Sequence, residues 1–290
     1  MKIYINGRYY PREKAVISVF DHGLLYGDGV FEGIRIYNGR IFKLDEHLAR
    51  LFESAKTILL KMPLSVAALT RATVETVRRN GLRDGYIRLI ITRGVGNLGL
   101  NPFHCKRAQV IIIADRIALY PSAVYTKGMA IITASTQRNM TEATPPQVKS
   151  LNYLNNILAK IEAISSGVEE AILLNTYGYV AECTGDNIFF IKNKVVMTPP
   201  AYMGTLDGIT RATVMELAAQ LAYTVKQHIT TRHDLYNADE CFLTGTGAEV
   251  VPVIKIDGRV IGTGKPGRIT AKLIAAFRAL TQTSGTPVYE

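Results

Sequence analysis

Cysteine, long apolar runs and clustered basic residues are scarce in this sequence, and each scarcity argues against a class of protein. The 290-residue chain has three cysteines, and no two of them form a Cys-x-x-Cys pair. This usage argues against a disulfide framework or a thiolate zinc site and favours a reduced, cytoplasmic protein. The five histidines show no metal-ligand spacing, so we expect no bound metal.

Membranes and nucleic acids are also poor matches for the composition. No apolar run approaches the roughly 18 residues that a membrane span needs, and the apolar run at 110–114 has the length of a buried strand. The N-terminal residues lack the apolar segment of a secretory signal, so we expect neither secretion nor a membrane partner. The net charge is +10, but lysine and arginine are scattered without a basic run longer than two. We therefore expect no nucleic-acid partner, and the charge favours small anions that carry phosphate or carboxylate groups.

Short hairpins with Asn-Gly and similar turns dominate the sequence. Asp45 is predicted to cap one amphipathic helix, and Ser65 is predicted to begin another. Many hairpins with few strand-helix-strand alternations predict an α+β fold with largely antiparallel or mixed sheets. We expect an N-terminal α/β domain over residues 1–118, an interdomain linker over 119–129, and a C-terminal domain over 130–290.

Lys149 is the residue whose surroundings most favour chemistry. It follows Pro145-Pro146, which disfavours helix, and precedes Ser150, a suitable N-cap for the helix-like run after it. We therefore expect Lys149 at the mouth of a helix. If that helix starts slightly early, Tyr153, four residues on, lies on the same face and its phenol can approach the lysine amine. An amine held in this way favours imine chemistry with a carbonyl, and hence pyridoxal phosphate. On local sequence alone, a solvated surface lysine is the commoner interpretation.

A helix end does not activate this amine by itself. Lowering a lysine pKa from about 10.4 to about 7 requires roughly 4–5 kcal/mol. A helix N-terminus supplies about 0.3–1 kcal/mol, and ~2 kcal/mol when partly buried. Burial, cofactor charges or a resting covalent link must therefore contribute.

Three further segments carry residue types that suit such a cofactor. Gly208, Ile209 and Thr210 open a predicted helix, where free backbone N–H groups and a hydroxyl can hold a phosphate. Thr246 lies in a second glycine-rich turn and can add a hydroxyl to the same phosphate. Glu182 ends a strand, where a carboxylate can keep a pyridine nitrogen protonated. Taken singly, a capped helix start and an exposed strand-end acid are the commoner interpretations.

Arg50 lies on the predicted Asp45 helix but off its apolar stripe. The pattern alone therefore predicts a solvated side chain. Arg50 matters for a site only if another domain or a cofactor covers that second face of the helix.

Several motifs occur in one order along nearly the whole chain. They are DHGLLYGDGVFEGIR at 21–35, EHLARL at 46–51, YIR at 86–88, KSLNYL at 149–154, the segment at 182–189, GITR at 208–211 and GTGAE at 245–249. Together they resemble the branched-chain aminotransferase family, within the fold of pyridoxal-phosphate enzymes that includes D-amino-acid aminotransferase. The resemblance implies a two-domain, D-amino-acid aminotransferase-like α+β architecture of fold type IV, with pyridoxal phosphate at the domain interface.

The resemblance also implies roles for the residues that would bind the cofactor. Lys149 is the residue joined covalently to it and moves the proton between the substrate α-carbon and the cofactor. Tyr153 hydrogen-bonds the phenolate oxygen, and Glu182 pairs with the pyridine nitrogen. The phosphate is bound by Arg50, Gly208, Ile209, Thr210 and Thr246.

A second set of residues is implied to bind substrate. Tyr26, Phe31 and Tyr86 resemble the pocket wall for branched side chains. The groups that organise the substrate carboxylate are implied to be Arg35, Arg88, Tyr86 and the amides of Thr246-Gly247. The usual family turn has a second small residue where this chain has Gly247, which we expect to loosen the turn slightly.

The implied reaction is transamination, in which L-leucine, L-isoleucine or L-valine gives its amino group to 2-oxoglutarate. D-amino-acid aminotransferase is the nearest rival, since GDGV at 27–30 is shared with it, although the motifs at 31–35 and 86–88 fit the branched-chain type better. Aminodeoxychorismate lyase on the same scaffold and a non-catalytic binding protein also stay open. The loop near Leu98 and Leu100 resembles one that reaches a neighbouring subunit's site, so we expect a homodimer or a higher homo-oligomer.

Overall fold

The computed structural model describes residues 1–117 and 120–289, and the chain divides into two compact units. Unit 1 comprises Met1–Ile117, Val148–Asn152 and Thr281–Glu290, and unit 2 comprises Ala118–Gln147 and Tyr153–Leu280. The expected domain end at residue 118 and the expected linker start at residue 119 lie outside the described residues. The described part of that expected linker contains a short helix, so it is not an irregular segment throughout.

The strands and α-helices are numbered here in chain order. The strands are β1 (Lys2–Ile5), β2 (Arg8–Pro11), β3 (Gly29–Tyr37), β4 (Arg40–Ile41), β5 (Gly85–Thr92), β6 (Gln109–Asp115), β7 (Met129–Thr133), β8 (Glu170–Leu174), β9 (Val180–Cys183), β10 (Asn187–Lys192), β11 (Val195–Thr198), β12 (Val225–Gln227), β13 (Glu240–Gly245), β14 (Glu249–Ile256), β15 (Arg259–Val260) and β16 (Thr286–Pro287). The helices are α1 (His22–Leu25), α2 (Leu44–Thr57), α3 (Val66–Arg79), α4 (Ser122–Lys127), α5 (Leu154–Ser165), α6 (Ile209–Gln220), α7 (Arg232–Tyr236) and α8 (Arg268–Thr283).

Unit 1 is built on a seven-stranded sheet in the order β16-β4-β3-β5-β6-β1-β2, counted over the described residues. Side chains alternate along each strand, so that Val30, Ile34 and Ile36 of β3 point into one apolar core. Leu48 and Leu51 of α2, together with residues of α3, fill the same core. The α3 helix begins as expected, because the Ser65 side chain accepts a hydrogen bond from Ala68 N at 3.3 Å.

Two segments from the second half of the sequence belong to unit 1. Leu151 N donates to the Gly29 carbonyl at 3.0 Å, which ties Val148–Asn152 to the start of β3. Strand β16 pairs with β4, which ties the C-terminal segment to the edge of the same sheet. The continuous division expected from sequence differs from the observed units in these two segments, because backbone pairing over such distances leaves no local signal.

Unit 2 is built on a nine-stranded sheet, counted over the same described residues. Its path is β12-β11-β10-β13-β14-β7-β8-β9, and β15 pairs with β14. The pairing is mixed, since β7 runs parallel to β8 and β14 whereas β10, β13 and β14 are antiparallel. Phe189 and Phe242 stack at 4.9 Å between ring centroids within the sheet. The α+β class expected from sequence is confirmed.

Two predicted helix starts are wrong. The helix expected to be capped by Asp45 begins at Leu44, after Lys43 in a left-handed conformation at φ 54°. The helix expected to be capped by Ser150 begins at Leu154, with Tyr153 at the N-cap. Ser150 instead forms an isolated bridge with Val30, because this stretch pairs with β3 before the helix begins.

Candidate active site

Lys149 lies in the extended segment beside β3 and not at a helix mouth. Its carbonyl accepts from Phe31 N at 3.0 Å, and its own N–H donates to the Ser54 hydroxyl at 3.2 Å. Its Nζ lies 4.6 Å from the centroid of the Phe31 ring. The helix begins at Leu154, so the early start on which an i, i+4 relation between Lys149 and Tyr153 depended does not occur. The lysine is held by β-pairing and not by a helix.

One face of the unit 1 sheet gathers four of the predicted substrate residues. Arg35 pairs with Tyr86 in register, and Phe31 and Arg88 are offset from them by four and two residues, so all four side chains lie on the same face. The Arg88 guanidinium lies 4.5 Å from the Phe31 ring and 5.7 Å from the Tyr86 ring. Gly33 lies between them, and a Cβ at this position would collide with the Tyr86 hydroxyl. The face thus combines aromatic surface with guanidinium groups.

Tyr26 lies at the end of the short α1 helix in unit 1. Its hydroxyl donates to the carbonyl of Leu98, and its ring makes an edge contact with His22 at 5.0 Å. Leu98 and Leu100 are 69% and 79% exposed. Tyr26 therefore anchors the loop that the sequence associates with a neighbouring subunit.

Arg50 is buried by an ion pair within its own unit. Its Nε and Nη2 each donate to a Glu32 carboxylate oxygen at 2.8 Å. Glu32 is fully buried on β3 and also contacts His47 Nδ1 at 2.7 Å. The expectation of a solvated arginine is wrong, because a core-facing acid on β3 covers that face of α2.

The charges of this trio follow from its burial. Burial alone would raise the pKa of Glu32, but the Arg50 charge and hydrogen bonds from both partners outweigh it and lower the pKa to about 2. Burial lowers the pKa of His47, so this residue is neutral near pH 7. An ionised Glu32 only accepts hydrogen bonds, so His47 Nδ1 carries the proton. The Arg50 guanidinium is thereby held in a fixed orientation.

Glu182 in unit 2 is a buried carboxylate with two donors at 2.9 Å and a third nitrogen farther away. Arg138 Nε donates to Oε1 at 2.9 Å, and Leu206 N donates to Oε2 at 2.9 Å. Asn187 Nδ2 lies 3.3 Å from the same Oε2. The expectation of a carboxylate at a strand end is met in position, although the residue is buried and not exposed.

Asn187 connects Glu182 to the start of helix α6. Its Nδ2 also donates to the Thr205 hydroxyl at 2.8 Å. A Cβ at position 208 would collide with the Asn187 side-chain oxygen, so a larger residue at the N-cap of α6 would require Asn187 to move. Among the described residues no side chain caps this helix, which leaves the first-turn amides of Ile209 and Thr210 to serve a ligand.

The turn after β13 contains the remaining predicted residues. Thr246 and Gly247 are half-buried there. Thr244 lies in β13, opposite Asn187 of β10 and on the same face of the sheet. Its hydroxyl is buried and has no hydrogen-bond partner in the described part of the chain. A buried hydroxyl without a partner is costly unless something else satisfies it.

Sequence reasoning missed several residues that surround the predicted ones. A signal for Glu32 was present, because the alternation of β3 places it on the core side with Val30 and Ile34. Arg138 lies in an irregular segment without periodicity, so no local pattern could identify it. Asn187 begins a strand, and its role depends on packing against the distant Gly208.

The residues within each unit fit pyridoxal phosphate by their chemistry. Unit 1 presents an amine beside an aromatic ring and a buried guanidinium. Unit 2 presents a carboxylate for a ring N–H, an uncapped helix start for a phosphate, and the Thr244 hydroxyl. No group of three or more potential ligands suited to a metal ion occurs within residues 1–117 and 120–289. Over the same residues, no helix combines the length and apolar character of a membrane span.

Comparison with known proteins gives the same class. The profile of the amino-transferase class IV family matches residues 29–256. A Methanocaldococcus jannaschii protein, provisionally named a branched-chain-amino-acid aminotransferase, is 50% identical over 290 residues, the full length of both chains. The crystal structure of the Escherichia coli branched-chain amino acid aminotransferase matches with a TM-score of 0.95 at 34% identity, covering 99% of this chain and 97% of that chain. The T.th. branched-chain amino acid aminotransferase complexed with N-(5'-phosphopyridoxyl)-L-glutamate matches with a TM-score of 0.92 at 40% identity, covering 97% of this chain and 94% of that chain.

The chain therefore belongs to the amino-transferase class IV family, and its α+β fold is that of the fold type IV aminotransferases.

Proposed function

We propose that this chain is a pyridoxal-phosphate-dependent branched-chain-amino-acid transaminase, which moves the amino group of L-leucine, L-isoleucine or L-valine to 2-oxoglutarate. The observation that carries the proposal is the Lys149 amine, 4.6 Å from the Phe31 ring on a sheet face shared with Tyr86 and Arg88. A nucleophilic amine beside apolar surface and a guanidinium suits a substrate with an apolar side chain and a carboxylate. The names of the full-length relatives support the same activity.

Each residue near the cofactor would have its own chemical role. Bound pyridoxal phosphate supplies an electron sink for the bonds at the substrate α-carbon. Lys149 Nζ would take the proton from the substrate α-carbon and deliver it to the cofactor carbon C4′, which is general acid–base catalysis by one amine. Tyr153 donates to the phenolate oxygen, and Glu182 accepts from the ring N–H.

Candidate phosphate-binding residues occur in each unit and are considered separately. Arg50 contributes a guanidinium whose orientation Glu32 fixes. The other proposed phosphate-binding groups are the backbone at Gly208 and Ile209 and the hydroxyls of Thr210 and Thr246. Backbone amides at an uncapped helix start are suited to an anion.

Candidate substrate-binding residues lie on the unit 1 sheet face and, separately, in the unit 2 turn after β13. Tyr26, Phe31 and Tyr86 are the proposed side-chain pocket, and a methylene difference there is worth only about 1–3 kcal/mol. We therefore expect overlapping activity on L-leucine, L-isoleucine and L-valine. Arg35, Arg88 and Gly247 are the proposed carboxylate-binding groups.

A stereospecific assay tests the proposal. Purified protein with pyridoxal phosphate and 2-oxoglutarate is expected to form glutamate from L-leucine and to leave D-alanine unchanged. Activity on D-alanine alone would instead favour a D-amino-acid aminotransferase. Pyruvate release from aminodeoxychorismate, without transamination, would favour the lyase. Absence of all three activities in protein that binds no cofactor would favour a non-catalytic binding protein.

We further propose a cytoplasmic homo-oligomer, dimeric or larger. Three free cysteines support a reducing compartment. Exposed Leu98 and Leu100 support a neighbouring subunit over that loop. Small-molecule amino acids and 2-oxo acids, and not nucleic acid or membrane, are the proposed partners.

A further inference from the structure

Glu182 has an acceptor position left for a ligand. A carboxylate offers about four lone-pair positions over its two oxygens. Within the described residues, Leu206 N donates to Oε2 and Arg138 Nε donates to Oε1, each at 2.9 Å. Asn187 Nδ2 lies farther away, 3.3 Å from Oε2, and has closer acceptors in the Thr205 hydroxyl and the Leu206 carbonyl. The carboxylate therefore has room for a further N–H donor beside Arg138.

Arg138 is itself fixed by a ring of amide side chains. Its Nη1 lies within hydrogen-bond distance of the side-chain oxygens of Asn155 at 3.1 Å, Asn139 at 3.3 Å and Asn156 at 3.4 Å, which share its two N–H groups. Its backbone N–H donates to the Leu174 carbonyl at 2.8 Å. The side chain is 8% exposed, so Glu182 supplies the charge that a buried guanidinium needs.

We propose that Arg138 is a positioning residue that acts through Glu182, keeping this carboxylate charged and aimed at the ring N–H of bound pyridoxal phosphate. The inference rests on the proposed function. Proton transfer from the ring nitrogen to Glu182 would leave Arg138 buried without a counter-charge, which is strongly unfavourable. Arg138 thus biases the shared proton towards the ring nitrogen, where it is needed for electron withdrawal.

Other charges near Glu182 are less directly placed. Arg211 is close enough to affect the same charge balance, but it pairs with Asp207 at 3.1 Å. Burial raises the pKa of Asp186 to about 7, so this acid opposes Glu182 only where it is ionised, and it has its own partner in Tyr120. Arg138 is the guanidinium in direct contact with the carboxylate, so its removal is the sharpest test.

The experiment uses pyridoxal phosphate labelled with ¹⁵N in the ring. In the wild-type holoenzyme we expect the ¹⁵N chemical shift of a protonated pyridine. In Arg138→Gln the shift is expected to move towards the unprotonated value, and kcat to fall roughly 10- to 100-fold, the factor for losing a hydrogen bond to a charged group. Arg138→Lys, which keeps the charge, is expected to restore most of the shift.

Glu162→Gln is the matched control for damage to the segment that carries Arg138. Glu162 accepts from the backbone N–H groups of Ser135 and Thr136, so it anchors that segment without touching Glu182. The ¹⁵N shift of the cofactor bound to Glu162→Gln is expected to equal that of the wild type. An equal shift change in Glu162→Gln and Arg138→Gln would reduce Arg138 to a structural role and overturn the proposal.

A double variant separates the routes by which Arg138 acts. If Arg138 acts through Glu182, adding Arg138→Gln to Glu182→Gln is expected to lower kcat little further, because the effects of residues in one network are not additive. The proposal would be contradicted, with transamination left intact, if Arg138→Gln kept the wild-type ¹⁵N shift of a protonated ring. An equal loss of kcat from Arg138→Gln in the wild-type and Glu182→Gln backgrounds would also contradict it. Protein that binds no labelled cofactor at all would contradict the proposed function instead. If Arg138→Gln does not fold, an unprotonated shift in Arg138→Lys, which keeps the charge, would also overturn the proposal.

Discussion

Glu32 determines the environment of Arg50. The alternation of β3 directs this carboxylate into the core, where it needs a charged partner. Arg50 on α2 is that partner. The amphipathic pattern of α2 cannot reveal the pairing, because the pattern describes α2 alone and not the strand beside it. An apparently solvated arginine is therefore a buried, oriented cation.

Asp186 is the buried acid in unit 2 whose titration falls in an accessible pH range. Burial raises its pKa to about 7, and the nearby Glu170 charge acts in the same direction. Tyr120 donates to Asp186 at 3.2 Å and lies 3.4 Å from Glu170, while Lys160 opposes the shift and Glu182 adds to it. The folded protein keeps this proton in a range where the unfolded chain has lost it.

The sign of the pH effect follows from that difference. A carboxyl whose folded pKa is raised from 3.8 to about 7 destabilises the fold progressively as the pH rises through that window. Asp186→Asn stays neutral, so it is expected to gain stability over the wild type by roughly 2–4 kcal/mol more at pH 8 than at pH 5. Urea unfolding at the two pH values measures the difference.

The exposed Asp115 gives a control for the loss of one negative charge. Asp115→Asn is expected to change the free energy of unfolding by the same small amount at both pH values. If Asp186→Asn also behaved identically at pH 5 and pH 8, the buried acid would be ionised throughout and the assigned pKa would be wrong.

The sequence identified the chemistry-bearing residues better than it identified their surroundings. Lys149 and Glu182 carry functional groups that motifs name directly. Their supports, Ser54 for Lys149 and Arg138 for Glu182, come from segments 95 and 44 residues away in the chain. Such contacts depend on tertiary packing, for which one sequence has no local pattern. The cofactor and substrate roles of the named residues stay predictions.

At the scale of elements, the misplaced start of α5 has a clear cause. Ser150 is an acceptable N-cap by residue type, but the segment from Val148 to Asn152 forms backbone hydrogen bonds with β3. Long-range strand pairing overrides a local capping preference here. By contrast Ser65 does cap α3, because no strand competes for that segment among the described residues.

Helix α5 also exposes an apolar stripe, which consists of Leu154, Ile157, Leu158, Ile161 and Ile164. These side chains are 47–67% exposed and recur at spacings of three and four residues, so they share one helix face. A stripe of this kind is typical of a seam between helices of two subunits. We expect a second copy of the chain to cover the α5 stripe.

Two negative charges introduced into the α5 stripe test this expectation. The double variant Ile157→Glu and Ile161→Glu is expected to lower the molar mass measured by light scattering to that of a smaller assembly, because buried unpaired charges oppose association. Ala67→Glu, which adds a charge at an exposed position of α3, is expected to leave the mass unchanged. An unchanged mass for the double variant would place the subunit contact elsewhere.

At the scale of the whole molecule, the sequence predicted the class of fold but not the paths by which the chain enters each unit. Hairpins at Asn6-Gly7 and Asn38-Gly39 were predictable because their turns are local. The return of Val148–Asn152 and of β16 to unit 1 was not, since both pairings span over a hundred residues. The expected domain limits at 118 and 130, and the linker between them, stay predictions.

Covalent attachment of the cofactor to Lys149 is the central claim, and borohydride trapping tests it most directly. The protein is loaded with pyridoxal phosphate, reduced with borohydride, digested and mapped by mass spectrometry. The phosphopyridoxyl label is expected on the peptide that contains Lys149, to persist there in Lys226→Ala, and to be lost together with turnover in Lys149→Ala. A label on another lysine, or a Lys149→Ala variant that keeps wild-type turnover, would contradict the account.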